Sequence, residues 1–252
     1  MLTIDRRQLD SLEAIAVENY ENAMSAHLNS LAPEHTGAMG REALSRFITS
    51  ARKRALSFGI TQTDTTRVWL ELSMLWGIGF PDDPQFSFAR SILEQGSDEL
   101  LRMRRLHREA REFLLLTNGE GLKHHRAALK RVASEDLSTR FVDEQPDDTS
   151  IVRKLEELWP EKYRAVGSTD MAELVALCRA DAAARGLDVG AGSALLSVLA
   201  LFMGRGCVEA PQYPWLARSL EHPGPEGVMR LYRRSRAYLR GVLTNGYLPN
   251  TA

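Results

Sequence analysis

The sequence has few cysteines, no long apolar run and no apolar segment at its N-terminus. Cys178 and Cys207 are its only cysteines, and we interpret both as buried small hydrophobic residues. The longest apolar run, residues 194–203, is too short to span a bilayer. The first residues include acidic side chains where a signal peptide needs apolar ones. We therefore expect a cytoplasmic protein that does not enter a membrane.

An excess of charge of either sign is also missing. The chain has 32 Lys and Arg residues against 33 Asp and Glu residues, which gives a formal net charge of −1. Nothing global therefore directs it to nucleic acid or to an anionic membrane. Its 252 residues, 44% of them hydrophobic, can form one large domain or two of ordinary size, each with a core.

Sequence patterns that bind metals or carry catalysis do not occur. There is no HExxH, CxxC or G-x-S-x-G, and His124 and His125 would point about 100° apart on a helix. Residues 190–193 (GAGS) lack the ending of a phosphate loop, so we interpret them as an interhelical turn, and Asp82 and Asp83 as turn residues. We interpret His35 as a surface or capping residue. We predict no catalytic, metal-binding or cofactor-binding residue, and a chain that is not an enzyme.

Glycine and proline positions coincide when the sequence is shifted by 127 residues. These residues constrain the backbone most strongly, so their coincidence is more informative than that of other residues. The aligned pairs are Pro33 and Pro160, Gly40 and Gly167, Gly59 and Gly186, Gly77 and Gly204, Gly79 and Gly206, Pro84 and Pro211, and Gln85 and Gln212. This pattern predicts a tandem duplication of one unit.

Each unit has the hydrophobic spacing of about five helices. In the first unit we predict helices at about 8–31, 41–58, 63–76, 84–95 and 97–116. In the second we predict them at about 168–185, 190–203, 211–221 and 225–242. No segment alternates with period two, so the predicted fold class is all-α. The units span 1–117 and 151–252, joined by a helix and an acidic linker at 118–150, and we expect Gly59 and Gly186 to cap helices with positive φ.

Aromatic and arginine residues form the candidate interaction sites. The arginines lie on the polar faces of the last helix of each unit, and they include Arg105, Arg108 and Arg233. Such faces are solvated and paired with carboxylates, or bind an acidic protein surface, or bind nucleic-acid phosphate. The aromatic residues flank the turn after the predicted helix at 63–76 in the first unit and after that at 190–203 in the second. They are Trp76, Phe80, Phe86 and Phe88 in the first unit, and Tyr213 and Trp215 in the second. They either seal a core or anchor an interface, and the sequence leaves both alternatives open.

A family resemblance lies in the first unit, over about residues 2–114, and more faintly in the second. It rests on the segments Ala55-x-x-x-Gly59-Ile60, Trp69-Leu70-x-Leu72, Gly77-x-Gly79-Phe80-x-x-Asp83-Pro84 and Phe88-Ala89-x-x-Ile92-Leu93. The chain thereby resembles helical bacterial proteins encoded near type VI secretion spike, PAAR and effector genes. The resemblance implies an accessory role in effector delivery or protection, with no catalytic residues and no cofactor.

The leading hypothesis is a non-catalytic cytoplasmic protein that binds a secreted effector or its spike carrier, as a chaperone, adaptor or immunity protein. Surface burial in grooves between helices, or between the two units, would hold the partner. One alternative is a helical enzyme or toxin, which would require polar side chains that converge in a pocket. Another is a nucleic-acid-binding regulator that uses the arginine faces.

Overall fold

A computed structural model describes residues 5–96, 98–134, 146–221 and 224–245. Over these ranges the chain forms helices and no β-strand, which confirms the all-α fold class. None of the helices in these ranges is long and apolar enough to cross a membrane. In chain order the α-helices are α1 (Arg6–Leu31), α2 (Pro33–Met39), α3 (Arg41–Leu56), α4 (Thr63–Trp76), α5 (Ser87–Leu93), α6 (Glu99–Asn118), α7 (Lys123–Ser134), α8 (Asp148–Leu158), α9 (Pro160–Val166), α10 (Ser168–Ala184), α11 (Val189–Met203), α12 (Pro214–Ser219) and α13 (Pro225–Asn245).

Two hydrophobic cores follow one another along the chain. Helices α1 to α6 surround the first core, in which the buried rings of Phe47, Trp69 and Phe80 are prominent. Helices α7 to α13 surround the second core, which is mostly aliphatic. We refer to residues 5–118 as the first half and to residues 123–245 as the second half. Val166 packs against both cores, so the halves are in contact.

Helix α11 is the central helix of the second half and is buried along nearly its whole length. The carboxylate of Asp188 accepts a hydrogen bond from the amide of Ala191 at 2.8 Å and caps its first turn. Residues 190–193 therefore belong to a helix, so their interpretation as an interhelical turn was wrong. A β-carbon at Gly192 would lie 2.8 Å from Cβ of Leu187. Glycine at this position therefore lets the chain at Leu187, just before α11, pack closely against the helix.

Glycines end the helices where the sequence predicted that they would. Gly59 has φ +67° and Gly186 has φ +64°, which confirms positive φ at both. Helix α4 ends at Gly77 and α11 ends at Gly204, again with positive φ. Asp82 and Asp83 lie in the predicted turn, within or beside two short 3₁₀ segments, Phe80–Asp82 and Pro84–Phe86.

The observed helices differ from the predicted ones mainly by three additions. Helices α2, α8 and α9 were not predicted, and the predicted helix at 84–95 is a 3₁₀ turn followed by the shorter α5. Helix α8 begins at Asp148, inside the last residues of the predicted linker. Residues 135–145 of that linker lie outside the described residues.

Candidate functional site

The halves meet where the C-terminal ends of α4 and α11 touch. A β-carbon at Gly204 would lie 1.8 Å from the carbonyl oxygen of Trp76, so no other residue fits there without a shift of the backbone. A β-carbon at Gly77 would lie 3.5 Å from the carbonyl oxygen of Met203, which is an ordinary contact. Glycine at the end of each helix therefore lets the two backbones approach directly.

Two buried glutamines form corresponding hydrogen bonds across this contact. Nε2 of Gln85 donates to the carbonyl oxygen of Ala200 in the last turn of α11, at 2.9 Å. Nε2 of Gln212 donates to the carbonyl oxygens of Ser73 and Met74 in the last turn of α4, at 3.3 and 3.1 Å. Side-chain donors placed at the carbonyl ends of helices are favourable. The contact between the halves is thus reciprocal, because each half donates hydrogen bonds from one glutamine to the end of a helix in the other half.

A buried carboxylate lies beside one of these glutamines. The carboxylate of Asp83 accepts hydrogen bonds from the backbone amide of Arg205 at 2.6 Å and from the backbone amide of Gln85 at 3.0 Å. Nε2 of Gln85 donates to it as well, at 3.0 Å. Burial raises the pKa of Asp83, while the hydrogen bonds from Arg205 and Gln85 and the charge of Lys162 act in the opposite direction.

Lys162 reaches into the same contact from α9. Its Nζ donates to the carbonyl oxygen of Leu201 at 2.5 Å. It also lies 5.0 Å from the ring centroid of Trp159 and 5.4 Å from that of Phe86. Burial lowers the pKa of Lys162 to about 8, although the negative charge of Asp83 opposes this shift.

His35 occupies the corresponding place in the first half, 127 positions before Lys162. Its ring packs edge-on against Tyr213, with centroids 5.8 Å apart, much as Lys162 packs against Phe86. Burial lowers the pKa of His35 to about 4, so its imidazole is neutral at pH 7. His35 was interpreted as a surface or capping residue, and the structure places it, half-buried, in the wall of the cavity between the halves.

His35, Lys162 and Tyr213 line a cavity of about 510 Å³ between the halves, which we call the central groove. Its walls carry the aromatic rings of Trp76, Phe113, Trp159, Phe202, Tyr213 and Tyr238. His125 of α7 lies beside Trp159, with ring centroids 5.2 Å apart. Burial, and secondarily the charges of Lys162 and Arg126, lowers the pKa of His125 to about 4. The groove is thus mainly apolar, with a few polar groups, and its volume is typical of ligand-binding clefts, roughly 300–1,000 Å³.

Two exposed leucines lie at the edge of the central groove. Leu75 near the end of α4 is 52% exposed, and Leu122 before α7 is 47% exposed. Leu122 also has φ +62°, the one non-glycine residue with positive φ among those described. Such backbone strain in a residue other than glycine often accompanies functional surfaces.

The predicted aromatic site residues do not form one surface. Trp76, Phe80, Phe86 and Tyr213 are buried, and Phe88 and Trp215 are half-buried. This burial supports the alternative that most of these rings seal the core, and only Trp76 and Tyr213 also line the central groove. Partner binding by Phe88 and Trp215 stays a prediction.

The predicted arginine site residues are exposed and lie outside the central groove. Nη1 of Arg105 donates to Oε1 of Gln95 at 2.9 Å, and Nη2 of Arg108 pairs with the carboxylate of Glu109 at 3.1 Å. Arg233 lies with Arg230 on a basic surface of α13. The contacts of Arg105 and Arg108 fit the solvated-face alternative.

Sequence reasoning missed His35, His125 and Lys162 as groove residues. The shift of 127 residues aligns His35 with Lys162 and Phe86 with Tyr213, and this pairing was the signal available in the sequence. Across the described ranges, no group of three or more His, Cys, Asp or Glu side chains could hold a metal ion. Comparisons of the chain with protein-family models, curated proteins and solved structures found no match.

Proposed function

We propose that this chain is a non-catalytic cytoplasmic accessory protein that binds a partner protein in the central groove. The observation that carries the proposal is the apolar groove of about 510 Å³, open between the halves and bordered by exposed Leu75 and Leu122. Leucines that stay about half exposed lose solvent contact only when something covers them. A partner that covers them would therefore bury apolar surface at these two leucines and inside the groove, and both would favour binding.

The chemistry of the walls favours an apolar or aromatic side chain of the partner as the group that enters. The walls are mostly aromatic, and His35 and His125 are neutral at pH 7, so neither repels an apolar group by its charge. Aromatic anchors in desolvated pockets carry much of the affinity of protein interfaces.

The partner we propose is a secreted effector of a type VI secretion system, or the spike protein that carries it. This identity is supported by the resemblance in the first unit, which centres on the turn containing Phe80, Asp83 and Pro84. In this structure the same turn supplies Asp83, Gln85 and Phe86 to the contact between the halves. A chaperone, an adaptor and an immunity protein would all bind in this way, and they differ in what the bound effector can still do.

We also propose that the groove arose by tandem duplication of a unit of about five helices. Helices α2, α3 and α4 correspond in order and approximate length to α9, α10 and α11, and a positive-φ glycine ends α2, α4, α9 and α11. The reciprocal hydrogen bonds of Gln85 and Gln212 support the same proposal. Two equivalent surfaces that pack face to face form the same contacts twice, as the subunits of symmetric dimers do.

Co-expression with each neighbouring gene product, followed by size-exclusion chromatography, tests this function. We expect one neighbour to co-elute and Leu122→Asp to weaken that complex by at least roughly 30-fold, about 2 kcal/mol. Aspartate tolerates the left-handed backbone at position 122 at least as well as leucine does, so the fold should be kept.

The matched control is Leu56→Asp, which changes another leucine, 48% exposed, that lies at the end of α3 and does not line the groove. It should bind like the wild type. If no neighbour co-elutes, or if both variants bind equally well, the proposed function is wrong.

A further inference from the structure

Lys162 is unusual among the buried charged residues because it lies in the wall of a cavity. It is 5% exposed, and its Nζ contacts one carbonyl oxygen and two aromatic rings. No carboxylate of the described residues lies within ion-pair distance of this nitrogen, and Asp83 acts on it only over a longer range. No paired charge therefore offsets the cost of removing the ammonium group from water, and burial disfavours the charged form of Lys162.

The other buried lysine, Lys154, provides an internal comparison. It is 6% exposed, but its Nζ pairs with the carboxylate of Glu157 at 3.2 Å, and it does not line the central groove. Lys154 therefore has an ion-pair partner, and its side chain lies outside the cavity. The two lysines thus share burial and differ in partner and in access to a cavity.

A lysine amine that is neutral near physiological pH is a nucleophile. Burial lowers the pKa of Lys162 to about 8, so close to half of the molecules carry the free amine at pH 8. A solvated lysine has a pKa of about 10.4, and less than about 1% of it is neutral at that pH. Desolvated lysines in apolar pockets form Schiff bases for this reason.

We propose that Lys162 is a covalent binding site for small aromatic aldehydes that enter the central groove. The lone pair of Nζ forms a bond to the carbonyl carbon as the carbon–oxygen π bond breaks. The two hydrogens of the amine pass to that oxygen by way of water, and the remaining carbon–oxygen bond then breaks to release the oxygen as water. The product is an imine between Nζ and the former carbonyl carbon, and the reaction involves no oxidation or reduction. Water reverses it, so binding is reversible.

The groove fits this class of ligand in size and in surface. A cavity of about 510 Å³ admits a single-ring aldehyde, and Trp159 and Phe202, stacked 5.1 Å apart, offer aromatic surface beside Lys162. Neutral His125 lies next to Trp159 and adds no positive charge that would disfavour the protonated imine. The inference is independent of the proposed partner protein, since it requires only the groove and the amine.

Reductive trapping on the intact chain tests the proposal. The folded protein is incubated with benzaldehyde at pH 8, treated with sodium borohydride, digested and analysed by peptide mass spectrometry. The five lysines, Lys53, Lys123, Lys130, Lys154 and Lys162, then compete within one molecule. We expect Lys162 to carry a benzyl group at least ten times as often as Lys154 or the three other lysines.

Two controls separate the effect of the fold from that of the local sequence. In concentrated urea the five lysines should react alike, and a preference for Lys162 that persisted there would contradict the proposal. Lys162→Met keeps most of the side-chain volume and should abolish the preferred label. If Lys162 in the folded wild-type protein reacts no faster than Lys154, the proposal is overturned, whether or not the variant folds.

Discussion

The two halves match where their backbones meet and differ where they line the central groove. Gln85 of the first half and Gln212 of the second both donate to carbonyl oxygens at the end of the opposite helix. At the groove wall, by contrast, the first half places neutral His35 against Tyr213, and the second half places Lys162 against Phe86. The two halves are thus alike in their geometry at the contact and unlike in their chemistry at the groove.

A second difference concerns the helices that meet. Helix α11 is buried nearly throughout, whereas α4 leaves Leu75 half exposed at the groove. The buried carboxylate also exists on one side only, because Asp83 corresponds to Ala210. The first half therefore contributes the exposed Leu75 to the rim, and the second half contributes the more fully buried helix.

The largest expected effect comes from the backbone contact itself. Gly204→Ala should lower the free energy of unfolding by about 4 kcal/mol or more, because the new β-carbon would meet the carbonyl oxygen of Trp76 and φ is positive. Urea denaturation measures this change.

Gly167→Ala is the matched control, since Gly167 has φ +92° and open space around it. It should cost only the strain of a left-handed backbone, about 1–2 kcal/mol. Equal losses in the two variants would mean that the helix ends do not touch as described.

His35 and His125 should make the free energy of unfolding fall as the pH is lowered. Their pKa values are lowered from 6.5 to about 4, so the unfolded chain binds more protons than the folded chain between these values. Their contribution is present above about pH 6.5 and is lost as the pH falls toward 4, by up to roughly 2–3 kcal/mol for each histidine. Unfolding free energies measured across this range should fall less steeply in His35→Gln and in His125→Gln. Curves parallel to that of the wild type would refute the assignment.

Gln85 and Gln212 make corresponding hydrogen bonds across the contact, but we expect their removal to cost different amounts of stability. Gln85→Ala removes a donor from the buried carboxylate of Asp83 as well as from Ala200, so we expect a loss of about 2–3 kcal/mol. Gln212→Ala removes donors from neutral carbonyl groups only, and should cost about 1–2 kcal/mol. Thermal and urea unfolding of both variants test the order, and a larger loss in Gln212→Ala would reverse it.

The smallest effect should come from Gly59 and Gly186, which follow helices other than the two whose ends touch, α4 and α11. Gly59→Ala should destabilise by about 1 kcal/mol, because alanine is strained at φ +67° while its β-carbon meets only Nη2 of Arg102 at 3.7 Å. Gly186→Ala, at φ +64°, should behave similarly. A neutral result in thermal melts of both variants would contradict this account of the helix ends.

Glycine and proline positions made most helix boundaries predictable from the sequence. Helix α2 was missed because the first predicted helix was taken to end before Pro33, whereas proline in the first turn also begins a helix. Helix α9 begins at Pro160 in the same way. Seven residues, moreover, are too few to display a helical period. Helix α8 was missed because its first residues continue an acidic, polar segment.

The central groove could not be predicted because it depends on how the two halves pack. Most of its residues come from α2, α4, α6, α7, α9, α11 and α13, and the others come from the adjoining turns. No local sequence pattern predicts the angles between these helices. Burial of His35 and Lys162 likewise depends on Tyr213 and Phe86 of the opposite half. The sequence showed only that these positions align after the shift of 127 residues. It did not show that they pack against the opposite half.

The most direct test of the account is a titration of the purified partner against three variants. Leu75→Asp should weaken binding by at least roughly 30-fold, because it places a charge at the exposed rim of the groove. Arg105→Glu and Arg233→Glu should leave the affinity within about threefold, and any effect should appear mainly in the association rate and its salt dependence. If the two arginine variants abolish binding while Leu75→Asp binds like the wild type, the partner does not occupy the central groove.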